Sequence, residues 1–169
     1  MSELAPKERL QPCLLDRLTD EEPSRQQESR EKRVMSLPRY REAVLRDIGW
    51  LLNSSAHLAS EDLSRLEGVR NSVLNFGVRN VCGLSVTDMG VDDVKRLLVE
   101  ALRTFEPRIL RQGLAVEALP ARDKTLPPTA VQFQIQGELW VQGAHEAMYI
   151  KTEVDLETGE CALTWGTNG

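Results

Sequence analysis

Two carboxylates a few ångströms apart across a cleft are enough for glycoside hydrolysis, and Glu106 is the best-placed acid for such a pair. It closes an apolar helical stretch, and Asp88, Asp92 and Asp93 are its conceivable mates. The spacing works against all three. Asp92 and Asp93 precede Glu106 by about 13–14 residues, which puts them at the opposite end of a helix about 20 Å long. Asp88 lies just beyond that same end. The three Phe, three Trp and two Tyr residues are not clustered as a sugar groove requires. Other chemistries are no better served. Neither His57 nor His145 lies in a nucleophile motif, and no cysteine sits in a nucleophile signature. Cys13, Cys82 and Cys161 are far apart, without metal-ligand or CxxC spacing. The glycines are dispersed, with no phosphate-cradling loop. The expectation is a non-enzymatic chain that needs no cofactor or metal.

Glu106-Pro107-Arg108 admits two readings. In one, Pro107 stops the helix while the two charges solvate its end. In the other, Pro107 stiffens a corner from which Glu106 and Arg108 project, and the arginine fork meets carboxylates or helix-end carbonyls of a partner. An arginine at a helix end contributes little to a core, so its removal is expected to leave the fold intact.

The elements that must position this corner follow from periodicity. Ser36 can cap a helix with Pro38 in its first turn, and Leu37, Tyr40, Val44, Ile48 and Leu51 recur at helical spacing until Asn53-Ser54-Ser55. A second helix is expected from near Ser60, with Leu63, Leu66, Val69 and Val73 on one side and Gly77 as its left-handed stop. A third carries the stripe Val94, Leu97, Leu98, Ala101, Leu102 and Phe105, with Asp92 and Asp93 in its first turn. The period then changes to two. Leu114 to Leu119 is a candidate strand, followed by a polar, proline-bearing linker from Ala121 to Thr129. Val131, Phe133, Ile135, Leu139 and Val141 alternate with polar residues, and so do Met148, Ile150, Val154 and Leu156 across a turn at 142–145. Gly137 falls on the apolar side, marking a bulge or a close backbone approach. The expected class is α+β, with three helices packed on one face of a small, mainly antiparallel three-stranded sheet. An open edge of such a sheet is a docking device, because its unpaired backbone groups recruit other strands.

The ends divide the chain further. Residues 1–35 hold a short apolar cluster, Leu14-Leu15-Asp16-Arg17-Leu18, then a densely charged stretch from Thr19 to Arg33 with no large apolar side chain. That stretch reads as a mobile arm or a solvated helix. The cluster either packs back on its own domain or docks on a partner. Residues 36–160 form the folded domain, and 161–169 read as a frayed tail.

A net charge of −5 argues against a duplex-binding surface, and the scarcity of aromatic rings against a single-strand platform. No apolar run is long enough for a signal peptide or a membrane span. A reducing, cytoplasmic setting without membrane insertion is expected.

Three ordered segments carry a family resemblance. Leu14-Leu15-Asp16-Arg17-Leu18-Thr19-Asp20-Glu21-Glu22-Pro23 resembles the N-terminal signature of TssE-type baseplate subunits of bacterial type VI secretion machines. Leu45-Arg46-Asp47-Ile48-Gly49-Trp50-Leu51-Leu52-Asn53 resembles that family's first core helix. Ser72-Val73-Leu74-Asn75-Phe76-Gly77, then Gly83-Leu84-Ser85, then Phe105-Glu106-Pro107-Arg108-Ile109 follows its central pattern. The family is similar to a T-even phage baseplate wedge protein that carries a lysozyme-like label. The resemblance implies structural work: linking the wedge complex to the contractile sheath and nucleating sheath polymerisation by strand addition. It implies that Glu106, Pro107 and Arg108 hold the wedge's helical core, with Leu14 to Leu18 as a further partner-binding segment. The implied partners are TssF/TssG-type and TssK-type wedge proteins and TssB/TssC-type sheath proteins, at a baseplate docked on the inner-membrane complex. A peptidoglycan hydrolase and a generic cytoplasmic adaptor are the alternatives.

Overall fold

A computed structural model describes residues 10, 12–19, 24, 35–57, 62–79, 90–120, 129–141 and 144–166. The expected charged arm falls almost wholly outside these residues, as do Asp88, Cys82 and most of the 121–129 linker. The helices are α1 (Leu14–Leu18), α2 (Leu37–Leu52), α3 (Glu67–Arg70) and α4 (Val91–Phe105), with a 3-10 turn at Val73–Asn75. The strands are β1 (Ala115–Ala118), β2 (Ala130–Val141), β3 (Ala144–Asp155) and β4 (Cys161–Trp165). They form one antiparallel sheet in the order β1-β2-β3-β4.

The α+β class is as expected, but among the described residues the sheet has four strands where three were expected, and there are four helices rather than three. The fourth strand is the segment read as a frayed tail. Its five residues alternate half-buried Cys161, Leu163 and Trp165 with exposed Ala162 and Thr164. So short a run gives little periodic signal. Pairing with β3 decides it, from Val154 opposite Cys161 to Ile150 opposite Trp165.

Helix α2 forms for the reasons its sequence gives. The Ser36 hydroxyl accepts from the Arg39 amide, Pro38 occupies the first turn, and Tyr40, Ala43, Val44, Ile48, Leu51 and Leu52 are buried. In α4, Val94, Leu98, Ala101 and Leu102 are buried, and the helix ends at Glu106, one residue before Pro107. The long β2–β3 hairpin supplies the other side of the core through Phe133, Ile135, Leu139, Met148, Ile150 and Val154. Gly137 lies in unbroken register opposite Met148, so it marks a close approach and not a bulge. A Cβ there would touch Ile109 and Met148 at 3.5 Å. Leu10 and Met35, which the sequence reading passed over, are buried and joined by a backbone bond of 2.8 Å.

The second helix is the main departure. Among the described residues of this stretch only Glu67–Arg70 is α-helical, because half of the apolar stripe has nothing to pack against: Leu66 and Val73 are exposed, while Leu63 and Val69 are half-buried. Ser72 and Asn75 instead bond backbone carbonyls of Val69 and Arg70 with their own side chains, which competes with helix continuation. Gly77 does adopt a left-handed φ of +124°, though not to stop a helix. It lets the chain run against residues 54–56, where a Cβ would sit 2.3 Å from the Ser54 carbonyl oxygen. Backbone bonds from Val78 to Ser54 and from Ala56 to Val78 hold that approach.

Candidate functional site

The corner after α4 is a tight turn. The Ile109 amide donates to the Glu106 carbonyl at 3.2 Å across Pro107, whose fixed φ suits the second position of such a turn. Beyond it the chain runs alongside β2: Leu110 donates to the Glu138 carbonyl and Trp140 to the Arg108 carbonyl, at 2.9 and 2.8 Å. The elbow is thereby welded to the sheet.

Its charges turn inward. Glu106 is only 5% exposed. Its Oε1 accepts from the Arg108 amide (3.1 Å) and Nε (2.7 Å), and its Oε2 accepts from Arg108 Nη2 (2.5 Å). The fork that could have met a partner's carboxylate closes on the chain's own. Arg108 Nη2 also donates to Asp47 Oδ2 at 2.8 Å. Asp47 Oδ1 accepts from Arg46 Nε and Nη2 at 2.9 and 2.7 Å, and Arg46 Nη1 reaches Asp16 Oδ1 at 2.7 Å. The Cys13 thiol closes the chain of contacts on Asp16 Oδ2 at 2.8 Å. Five charged groups from α1, α2 and the elbow thus alternate in sign along one line.

Titration follows the same geometry. Burial opposes the charge on Arg108, but the carboxylates of Glu106 and Asp47 outweigh it and raise the guanidinium further above its ordinary value. Burial alone would raise Asp16, yet the hydrogen bonds from Cys13 and Arg46 and the Arg46 charge hold its carboxyl below the usual 3.8. Beside the network, the Tyr40 hydroxyl donates to the Trp140 carbonyl at 2.9 Å, and burial raises its pKa.

The two segments singled out by sequence therefore meet, but through α2. Arg46 and Asp47 join them and were read only as part of a helix. They flank the buried positions Val44 and Ile48, which puts their heads at the rim of the helix–sheet interface. That is the signal that could have singled them out. The expectation that the fold survives loss of Arg108 meets a structure in which that arginine neutralises a buried carboxylate. Within α1 no residue is buried: Asp16 alone faces the body, while Leu14 and Leu18 are 70% and 73% exposed and Leu15 and Arg17 also face solvent. Pro107 is exposed at the tip of the elbow.

This arrangement suits hydrolysis poorly. A general acid must present a proton to a substrate oxygen, whereas both oxygens of Glu106 are engaged by Arg108 within a buried corner. Asp92 and Asp93 sit in the first turn of α4, at the other end of that helix.

A second feature lies at the β4 margin of the sheet. The Asp155 amide donates to the Glu160 carbonyl and the Gly166 amide to the Tyr149 carbonyl. With the antiparallel register, this alternation turns residues 160, 162, 164 and 166 toward β3 and the backbone of Cys161, Leu163 and Trp165 outward. Among the described residues, Cys161 alone of these three has its outward groups met. Asn53, the C-terminal cap of α2, donates from Nδ2 to the Cys161 carbonyl and accepts the Cys161 amide on Oδ1, both at 2.9 Å.

Residues 38–144 match the family model described as baseplate wedge protein gp25. That match takes in α2 from Pro38 onward, α4, the elbow, β1 and the whole of β2. No curated protein and no solved structure matches the chain.

Proposed function

The chain belongs to the baseplate wedge protein gp25 family, and from that premise we propose that it is the TssE-type subunit of a type VI secretion baseplate, working by assembly and not by catalysis. In this reading one side of the molecule docks on wedge proteins of the TssF/TssG and TssK types, and the sheet margin accepts a strand from a TssB/TssC-type sheath and starts its polymerisation. The wedge side comprises Glu106, Pro107 and Arg108 with the α1 residues Leu14 to Leu18. The charges of Glu106, Arg108 and Asp16 are already satisfied internally, so the offer to a partner is shape and apolar surface, the three leucines and the ring of Pro107, with exposed Arg17 among them. Its place would be the cytoplasmic face of the inner membrane.

The observation that carries this reading is the β4 edge. Leu163 and Trp165 present backbone donors and acceptors outward with no partner among the described residues. Added strands bind through such groups, each bond netting about 1 kcal/mol, so many copies around a ring would supply holding strength. The opposite margin is shorter, since β1 has four residues to the five of β4, while a helix packs against each edge strand, α4 on β1 and α2 on β4.

Two substitutions at one position test it. Leu163→Ala trims side-chain packing and keeps the outward amide. Leu163→Pro also removes that amide, which no bond among the described residues uses. Both variants should fold with similar stability in urea. Only Leu163→Pro should abolish sheath assembly in cells and co-purification with sheath proteins. Equal assembly by the two would defeat strand addition at this edge.

A further inference from the structure

We infer that Asn53 is a register stop for strands added at β4: its carboxamide occupies the first outward rung, so an incoming strand can begin only at Leu163. The inference rests on the strand-addition reading and specifies how the edge is used.

A strand added beside β4 would bond the outward N–H and C=O of alternate residues, here Cys161, Leu163 and Trp165. These span about 13 Å. Asn53 satisfies both groups of Cys161 with one planar amide, donor to carbonyl and acceptor to N–H, as a neighbouring peptide unit would. The same Nδ2 also donates to the Gly49 carbonyl at 2.8 Å, and the Asn53 amide donates there at 3.1 Å. The side chain is thus fixed to the end of α2 and cannot swing aside without releasing three side-chain bonds. Two rungs remain, at Leu163 and Trp165.

Register matters here for a physical reason. A slip of one residue exchanges the two faces of the incoming strand, and an edge of uniform backbone cannot prevent a slip of two. A blocked rung can. The occupant is an extended segment whose pairing ends opposite Leu163, and a longer pairing meets the end of α2.

Amide hydrogen exchange on the full chain tests this, first alone and then co-assembled with sheath protein. In the free wild-type chain the Cys161 amide should exchange slowly, and those of Leu163 and Trp165 quickly. Asn53→Ala should speed Cys161 about tenfold, the loss of one hydrogen bond. Asn53→Asp keeps the acceptor and should leave Cys161 slow, which separates the specific bond from general loosening of α2. On assembly, Leu163 and Trp165 should become protected in every variant, and Cys161 should gain protection only in Asn53→Ala, as the strand extends by one rung. A Cys161 amide indifferent to Asn53→Ala overturns the stop, as does one that stays fast in the Asn53→Ala assembly while Leu163 and Trp165 are protected. Failure of Leu163 and Trp165 to gain protection in any variant, with Cys161 behaving as expected in the free chain, sinks strand addition itself.

Discussion

The elbow after α4 and the margin at β4 are opposite solutions to the same polar groups. At the elbow, charges that look reactive in sequence are closed on one another: Glu106 on Arg108, Arg108 on Asp47, Asp47 on Arg46, Arg46 on Asp16. At β4, residues with no chemical distinction leave backbone groups outward. Conspicuous side chains mark where the chain holds itself together. Plain ones mark where backbone groups are left without a partner among the described residues.

The largest effect is expected from breaking the closed end. Arg108→Ala would strand a carboxylate that is 5% exposed, and uncoupling a buried pair in this way costs about 3 kcal/mol. Urea denaturation should show that loss, with much of it recovered by adding Glu106→Gln, which removes the stranded charge. A variant as stable as the wild type would make the corner a surface feature after all.

A smaller loss, about 1 kcal/mol, is expected for Tyr40→Phe, which deletes the hydroxyl bridging α2 to the Trp140 carbonyl beside the elbow. Thermal melts would check it. The phenolic oxygen would have no structural part if the melting temperature did not move.

The smallest global effect belongs to Asp16→Asn, under 1 kcal/mol for a rim pair, but its local effect should be plain. Asp16 is the one residue of α1 directed at the body, so α1 should lose exchange protection while the sheet keeps its own. The pH dependence has a definite sign. The folded carboxyl lies below its unfolded value of 3.8, so its contribution is complete above that value and is lost as pH falls through the lower, folded pKa. Wild-type α1 should therefore release in acid below about pH 4, and Asp16→Asn should show no such step. A release with the same midpoint in both would assign the transition to another group.

Much of this was legible before any coordinates. The stripes of α2 and α4 and the alternation in the long hairpin are periodic over enough residues to outweigh chance, and Pro107 forbids helix at its predecessor. The stretch after Ser60 shows the converse. Leu63, Leu66, Val69 and Val73 have helical spacing, but spacing cannot say whether a surface exists to cover them, and Leu66 and Val73 remain in solvent. The corner was half legible: Glu106, Pro107, Arg108 and the α1 cluster were singled out, but not Arg46 and Asp47, which join them.

What the sequence determined by itself were the local choices: where α2 and α4 start and stop, and which faces of those helices and of the long hairpin are apolar. Pairing across distance belonged to the tertiary structure. Asn53 and Cys161 are 108 positions apart, Arg108 and Asp47 61, and no local pattern ties such partners. Closing those long loops is favoured only when burial of the whole core meets their entropy cost at once, so the folded state alone decides which groups are satisfied and which stay open.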